Sequence, residues 1–199
     1  EVPADAVRIE ASATMYSAPW DILDHLDQTL QDDIASCGVP PMTADQMHVH
    51  GTHQVLLHPD ATVLPGVVAD TTDGPIVVHK GAVIRSNVSL CGPCVIGPGS
   101  IIMDGALIKA RTVIGPHCRV GGEVGGSILQ GCSNKAHEGH LGDSLLGQWV
   151  NLGAGTTNSN LLNTYAEVLV RLTPEGDVDA EVEKLRGLRA SPDPTTTAM

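Results

Sequence analysis

A six-residue period of aliphatic side chains constrains the fold of this chain more than any other feature. Eight residues spaced six apart between Val78 and Val120 are all aliphatic. The eight residues that lie four positions after them, from Ala82 to Val124, are all small. Neither an α-helix nor an alternating strand has this period. A parallel β-helix does, because each hexad forms a short strand and a corner, and three hexads complete one triangular coil. The strands of a β-sandwich, the alternative, repeat less regularly. The aliphatic series is Val78, Ile84, Leu90, Ile96, Ile102, Ile108, Ile114 and Val120.

The composition agrees with an all-β solenoid and argues against several kinds of partner. The 22 glycines and 13 prolines suit tight corners, and the core must be aliphatic because the chain has no Phe. Aromatic residues are only 2% of the chain and the net charge is −12, which argues against nucleic-acid binding. No apolar run is long enough for a membrane span, so we expect no membrane partner. Residues 78–158 carry six basic and four acidic residues, which allows an anionic small molecule to bind there.

The hexad pattern extends beyond its central part, with gaps, one of them at Asp70–Gly74. Leu57 and Val63 belong to it on one side, and Leu146 and Leu152 resume it on the other. The stretch Gly125–Asp143 does not keep the register, so we expect it to project from the solenoid as a loop. Functional residues concentrate in loops of this kind, next to a rigid scaffold.

The pattern predicts three parts of the chain. An N-terminal segment, 1–54, contains a helix at about 17–36 with Ser17 as its cap, followed by a linker over 38–54. The β-helix domain covers 55–165, and a short irregular tail covers 166–199. We expect the helix to cover the open end of the solenoid, where an unpaired strand edge needs protection.

Two motifs suggest chemistry that their context does not favour. Cys91-Gly92-Pro93-Cys94 is similar to a redox motif, but Cys94 falls on a small interior position of the hexads. The odd total of five cysteines indicates no disulfide framework and favours a reducing, cytoplasmic location. A histidine-rich stretch is better explained as a solvated linker than as a metal site, so we predict no metal. It contains His48, His50, His53 and His58.

The segment Ser133–Asp143 is the best candidate for a functional site. It holds two histidines, a lysine and acids between glycines, and it is followed by an asparagine-rich run that ends at Asn160. Asparagine also suits turns and stacks as ladders in solenoids, so turn geometry alone is an equally good explanation for any one of them.

These residues resemble a known enzyme family. The motifs Lys135-Ala136-His137, Leu141-Gly142-Asp143 and Asn151-Leu152-Gly153-Ala154-Gly155-Thr156, with Asn160, resemble the acetyltransferase domain of bifunctional N-acetylglucosamine-1-phosphate uridyltransferase/glucosamine-1-phosphate acetyltransferases. They are closer still to a divergent bacterial branch of sugar nucleotidyltransferases. The resemblance covers roughly residues 56–165. It implies a left-handed β-helix, a homotrimer, and a site between neighbouring solenoids.

The resemblance also implies roles for individual residues. His137 matches the catalytic base and Asn160 an asparagine that orients it, while the backbone amide near Ala154 matches a contact to the thioester oxygen of acetyl-CoA. The residues expected to bind the substrate are Lys135, His140, Asn151 and Asn158. The acceptor is a sugar phosphate. Since the chain shows no glycine-rich nucleotide loop, we expect it to be the C-terminal part of such a protein, with Mg²⁺ needed only by a nucleotidyltransferase domain elsewhere.

Two alternatives remain open at the level of sequence. In the first, the solenoid is a non-catalytic trimerisation or regulatory part of a nucleotidyltransferase. A γ-carbonic-anhydrase-like zinc protein is a minor alternative, with His117, His137 and His140 as the available ligands.

Overall fold

The chain forms a three-sided parallel β-solenoid of about six turns, in a computed structural model that describes residues 15–42 and 46–158. The chain visits three sheets in strict rotation, and every strand pairs in parallel with the strand of the same sheet one coil away. The predicted all-β parallel β-helix is therefore confirmed. The predicted tail at 166–199, and the predicted domain beyond residue 158, lie outside the described residues.

The strands are short and regularly distributed. Sheet 1 contains β1 (His48–Gly51), β4 (Val68–Thr71), β7 (Ser89–Cys91), β10 (Leu107–Ile108), β13 (Glu123–Gly125) and β16 (His140–Gly142). Sheet 2 contains β2 (Val55–Leu57), β5 (Ile76–Val78), β8 (Cys94–Ile96), β11 (Thr112–Ile114), β14 (Ile128–Leu129) and β17 (Leu145–Leu146). Sheet 3 contains β3 (Thr62–Val63), β6 (Val83–Ile84), β9 (Ile101–Ile102), β12 (Arg119–Val120) and β15 (Asn134–Lys135).

The aliphatic hexad residues form the interior of the solenoid. All eight, from Val78 to Val120, are completely buried, and residues 18 positions apart stand directly above one another, as Val78, Ile96 and Ile114 do in sheet 2. The buried small position Ser100 joins successive coils. Its Oγ donates to the carbonyl of Gly115 at 2.7 Å and accepts from the amide of Cys118 at 2.9 Å. The hexad therefore encodes both the apolar interior and polar contacts between coils.

The prediction of a projecting loop over Gly125–Asp143 is wrong. That segment continues the solenoid, but the paired residues Val113 and Ile128 are 15 positions apart, whereas Val95 and Val113 are 18 apart. The coil is three residues shorter because the corner at 121–123 has lost two residues and the turn between β13 and β14 has lost one. A fixed six-residue step cannot follow such a change.

The same shortening moves Val124 into a different column. The hexad count placed it among the small positions, but it is paired with Ile108 in the aliphatic interior of sheet 1 and is completely buried. The chain takes six residues from Ile102 to Ile108 and only four from Val120 to Val124. The interior is thereby kept aliphatic although the period is broken.

The N-terminal helical region differs from its prediction in two ways. It forms two helices, α1 (Asp21–Asp24) and α2 (Leu26–Ser36), separated at His25. Ser17 is not a side-chain cap: the Asp21 carboxylate instead accepts hydrogen bonds from the amides of Ser17 and Ala18.

Helix α2 packs against the face of sheet 2 rather than covering the end of the solenoid. Leu26, Leu30 and Ile34 form an apolar cluster with the outward-facing residues of successive sheet 2 strands. Those residues are Leu56, Val77, Val95, Val113 and Ile128. The expected end cap is therefore wrong, because a sheet that is apolar on both faces needs cover on its outer face as well.

The predicted linker over 38–54 contains the first strand of the solenoid. Strand β1 pairs with β4 at the edge of sheet 1, and all four of its residues are exposed.

None of the helices in residues 15–42 and 46–158 has the length and apolar character that a bilayer crossing requires.

Candidate active site

The corner that leads from sheet 3 to sheet 1 carries the predicted base His137. We call the row of such corners the 3–1 edge, and this one spans 136–139, between β15 and β16. Gly139 has a φ of +118°, and a Cβ at this position would lie 2.2 Å from the carbonyl oxygen of Thr156. The backbone here thus requires glycine, and the His137 corner packs closely on the corner of the next coil.

The imidazole of His137 is exposed at this edge. Within the described residues its ring forms no hydrogen bond, whereas its backbone carbonyl accepts one from Nζ of Lys135 at 2.7 Å. The predicted orienting residue, Asn160, lies outside the described residues. The structure therefore presents an accessible imidazole on a tightly packed backbone, which is what a base acting on a bound molecule needs.

A row of polar side chains lies on the outer face of sheet 3, next to this corner. Asn134 donates from Nδ2 to Oδ1 of Asn151 at 2.8 Å, and Arg119 is the residue paired with Asn134 in the preceding coil. Asn151 and Arg119 are exposed. The predicted site residue Asn151 therefore has a cationic neighbour two places along its row. The sequence analysis missed Arg119, although the row is visible once the shortened coil is counted.

On the other side of the corner, His140 belongs to a charged group on the outer face of sheet 1. Oε1 of Glu123 lies 2.6 Å from Nζ of Lys109 and 3.4 Å from Nδ1 of His140. The hydrogen bond from Lys109 is the main cause that holds the pKa of Glu123 below its ordinary value. Sequence analysis singled out neither Lys109 nor Glu123, because Glu123 meets His140 only through the register of β13 with β16.

Lys135 lies inside the solenoid rather than on its outer surface. Its side chain is only 2% exposed, and Nζ donates to the carbonyls of Gly121 at 3.0 Å and His137 at 2.7 Å. Burial lowers the pKa of this amine. A direct contact of Lys135 with substrate, as the resemblance implied, stays a prediction.

Asn158 is engaged with the chain one coil below it. Its Oδ1 accepts from the amide of Gly142 at 2.8 Å, while Nδ2 donates to the Gly142 carbonyl at 2.8 Å and to Oγ of Ser144 at 2.9 Å. This side chain therefore extends the pairing of β16. The predicted substrate contact of Asn158 stays a prediction.

Ala154 lies on the exposed corner directly after that of His137. The amide of Gly155 donates to the carbonyl of Glu138 at 3.2 Å, so the two corners are stacked. Within the described residues, the amide of Ala154 donates no hydrogen bond. It therefore fits a hydrogen-bond donor to an acyl oxygen, as the resemblance implied.

The other motifs are structural where the chain is described. All five cysteines are free thiols, and burial is the main cause that raises the pKa of both Cys91 and Cys94, which opposes thiolate chemistry. His117 lies on the corner between sheets 2 and 3, away from the 3–1 edge. In residues 15–42 and 46–158, no three His, Cys, Asp or Glu side chains are grouped so as to hold a metal ion.

The chain is similar in sequence to curated bifunctional proteins. Bifunctional protein GlmU of Synechococcus elongatus is 31% identical over 135 residues, which are 65% of this chain and 27% of that protein. GlmU of Acaryochloris marina is 29% identical over 147 residues, 68% of this chain and 32% of the relative. GlmU of Rippkaea orientalis is 42% identical over 55 residues, 27% and 12% respectively. No protein-family model matches the chain.

The matched region spans less than a third of the length of each of these relatives. Their similarity and the parallel β-solenoid together confirm the resemblance that the motifs between Lys135 and Thr156 indicate.

Proposed function

We propose that this domain transfers an acetyl group from acetyl-CoA to an amine or hydroxyl group of a sugar phosphate. The observation that carries the proposal is the position of His137: an exposed imidazole at the 3–1 edge, between the row on sheet 3 that ends at Asn151 and the charged group that includes His140. The similarity to the bifunctional GlmU proteins supports a transferase.

His137 acts as the general base in this reaction. Nε2 or Nδ1 of the imidazole takes the proton of the acceptor as its nitrogen or oxygen attacks the thioester carbonyl carbon. The amide of Ala154 donates to the oxyanion that forms, and collapse of the intermediate expels the CoA thiolate. The thiolate then takes the proton from the His137 imidazolium, which restores the neutral base.

The charged groups on both sides of His137 suit an anionic, hydroxyl-rich acceptor. Arg119 supplies a positive charge for the phosphate, and the amide of Asn151 supplies hydrogen bonds. On sheet 1, the Glu123 carboxylate accepts hydrogen bonds from sugar hydroxyl or amino groups, and the His140 imidazole accepts from or donates to them. The proposal includes a homotrimer, in which a neighbouring solenoid closes this open edge.

The test is the release of CoA thiol from acetyl-CoA in the presence of a panel of hexosamine and hexose phosphates. We expect His137→Ala to lower kcat by about 10²- to 10⁴-fold while the thermal unfolding temperature changes little, because the side chain is exposed. His117→Ala is the matched control, since His117 is also an exposed corner histidine, and it should retain full activity.

Two results would contradict the proposal. One is full activity of His137→Ala. The other is no acetyl transfer by the wild type to any phosphate of the panel, which would favour the non-catalytic trimerisation or regulatory role instead.

A further inference from the structure

Lys135 occupies a position that is aliphatic in every other coil of sheet 3 that the structure describes. The register places it above Val120, Ile102, Ile84 and Val63 in one interior column. A lysine on this column costs free energy unless its ammonium finds partners. The hydrogen-bond partners of Nζ therefore indicate the role of this lysine in the structure.

The ammonium of Lys135 lies between the shortened corner and the corner above it. At other places on the 3–1 edge, corner amides bond from one coil to the next, as from Gly105 to Ser86 at 3.0 Å and from Gly155 to Glu138 at 3.2 Å. At the shortened corner the amides of Gly121 and Glu123 also bond to the coil above, to the carbonyls of Lys135 at 2.7 Å and Gly139 at 3.2 Å. In addition, the carbonyl of Gly121 accepts a hydrogen bond from Nζ of Lys135.

Nζ also donates a hydrogen bond to the corner above, which carries His137. The distance from Nζ to the carbonyl oxygen of His137 is 2.7 Å, the shorter of its two hydrogen bonds. The side chain of Lys135 thus links the carbonyls of two successive corners across the missing residues.

Gly122 provides the space for this arrangement. Its φ is +70°, and a Cβ on it would lie 3.0 Å from Nζ of Lys135 and 3.0 Å from the carbonyl oxygen of His137. The shortened corner, the glycine and the interior lysine therefore form one connected unit directly beneath the His137 corner.

We propose that Lys135 is a positioning residue for His137, which holds the backbone of the base from inside the solenoid, and that it is not a ligand of the substrate. This inference rests on the proposed acetyl transfer for its kinetic consequences. The hydrogen bond from Nζ fixes the His137 carbonyl, and the corner packed between two neighbouring coils then fixes where the imidazole stands.

The kinetic test uses Lys135→Met, which keeps an unbranched side chain in the interior and removes the donor. We expect kcat to fall about 10- to 100-fold, since a displaced base loses the geometry of proton transfer. The KM for the acceptor should stay within about twofold of the wild-type value, because no substrate contact is removed.

A double variant separates positioning from general stabilisation. If Lys135 acts through His137, Lys135→Met combined with His137→Ala should be no slower than His137→Ala alone. Ile102→Met is the control for core perturbation, because it changes the same column away from the corner, and it should leave kcat within about twofold. If the Met variant does not fold, Lys135→Leu, which continues the aliphatic column, takes its place.

A measurement without turnover makes the inference independent of the proposed function. The imidazole resonances of His137, assigned with His137→Gln, should shift in Lys135→Met, while those of His117 stay unchanged. If the wild type transfers no acetyl group but this shift occurs, the proposed function fails and the positioning role stands. An unchanged His137 resonance, a raised KM with unchanged kcat, or additive losses in the double variant would overturn the inference.

Discussion

Lys135 illustrates how position decides the chemistry of a residue type. In the sequence it is one of the few basic residues near the candidate base, which makes it a natural ligand for a phosphate. In the structure the same amine is buried and donates to two backbone carbonyls. The environment of this amine differs from that of a surface lysine because the residue lies in an interior column of the solenoid.

The buried amine predicts a specific dependence of stability on pH. Since burial lowers the pKa of Lys135 from 10.5, the unfolded chain binds its proton more strongly than the folded chain does. The contribution of this group to stability therefore rises with pH between the lowered pKa and about 10.5. Denaturant unfolding from about pH 7 to 10.5 should show the wild type gaining stability relative to Lys135→Met. A difference independent of pH would contradict this, and Ile102→Met should show no such trend.

At the scale of elements, corners decide which predictions succeed. The six-residue step correctly identifies the interior residues from Val78 to Val120, where every coil has 18 residues. It fails after Val120, because the loss of two residues at one corner and of one residue at the next moves the later residues to other columns. The strands remain, but the histidine-bearing segment becomes part of the solenoid instead of a projecting loop.

The shortened corner predicts unequal effects of two glycine substitutions. In Gly121→Ala the new Cβ would lie 2.2 Å from the backbone oxygen of Ala136, so the His137 corner must move. We expect a loss of about 1–3 kcal/mol in the free energy of unfolding, as in overpacked cores. Gly153→Ala is the matched control, since a Cβ there meets nothing within 4 Å. Equal unfolding midpoints in urea for both variants would refute the tight packing between these corners.

Helix α2 shows a second limit at this scale. Its apolar stripe is plain in the sequence, through Leu26, Leu30 and Ile34. The stripe predicts that one face of the helix is buried, but it does not predict against which surface. The surface is set by the outward-facing aliphatic residues of sheet 2, which become recognisable only when five strands stand side by side.

At the scale of the whole molecule, the faces of the solenoid differ in what covers them. Sheet 2 carries α2, while the outer face of sheet 1 leaves Val68 exposed by 40%. This exposed valine supports sheet 1 as a contact face in the proposed homotrimer.

The proposed assembly is tested by sedimentation. We expect a species of three times the 20.7 kDa chain mass. Val68→Glu should shift the population towards monomers, because a charge would be buried at the contact. Thr62→Glu, an exposed position on sheet 3, is the control and should leave the trimer intact. A monomeric wild type at micromolar concentration would exclude the trimer.

The sequence by itself determined the solenoid, since a period of aliphatic and small side chains admits only a backbone that turns inward at the same interval. It also indicated where the candidate site lies, through the residues around His137 and Ala154. Only the tertiary structure decided that Lys135 points inward, that Glu123 stands beside His140, and that α2 covers sheet 2. These depend on which residues become neighbours one coil apart, and a change of two residues at a corner alters that pairing without leaving a local signal.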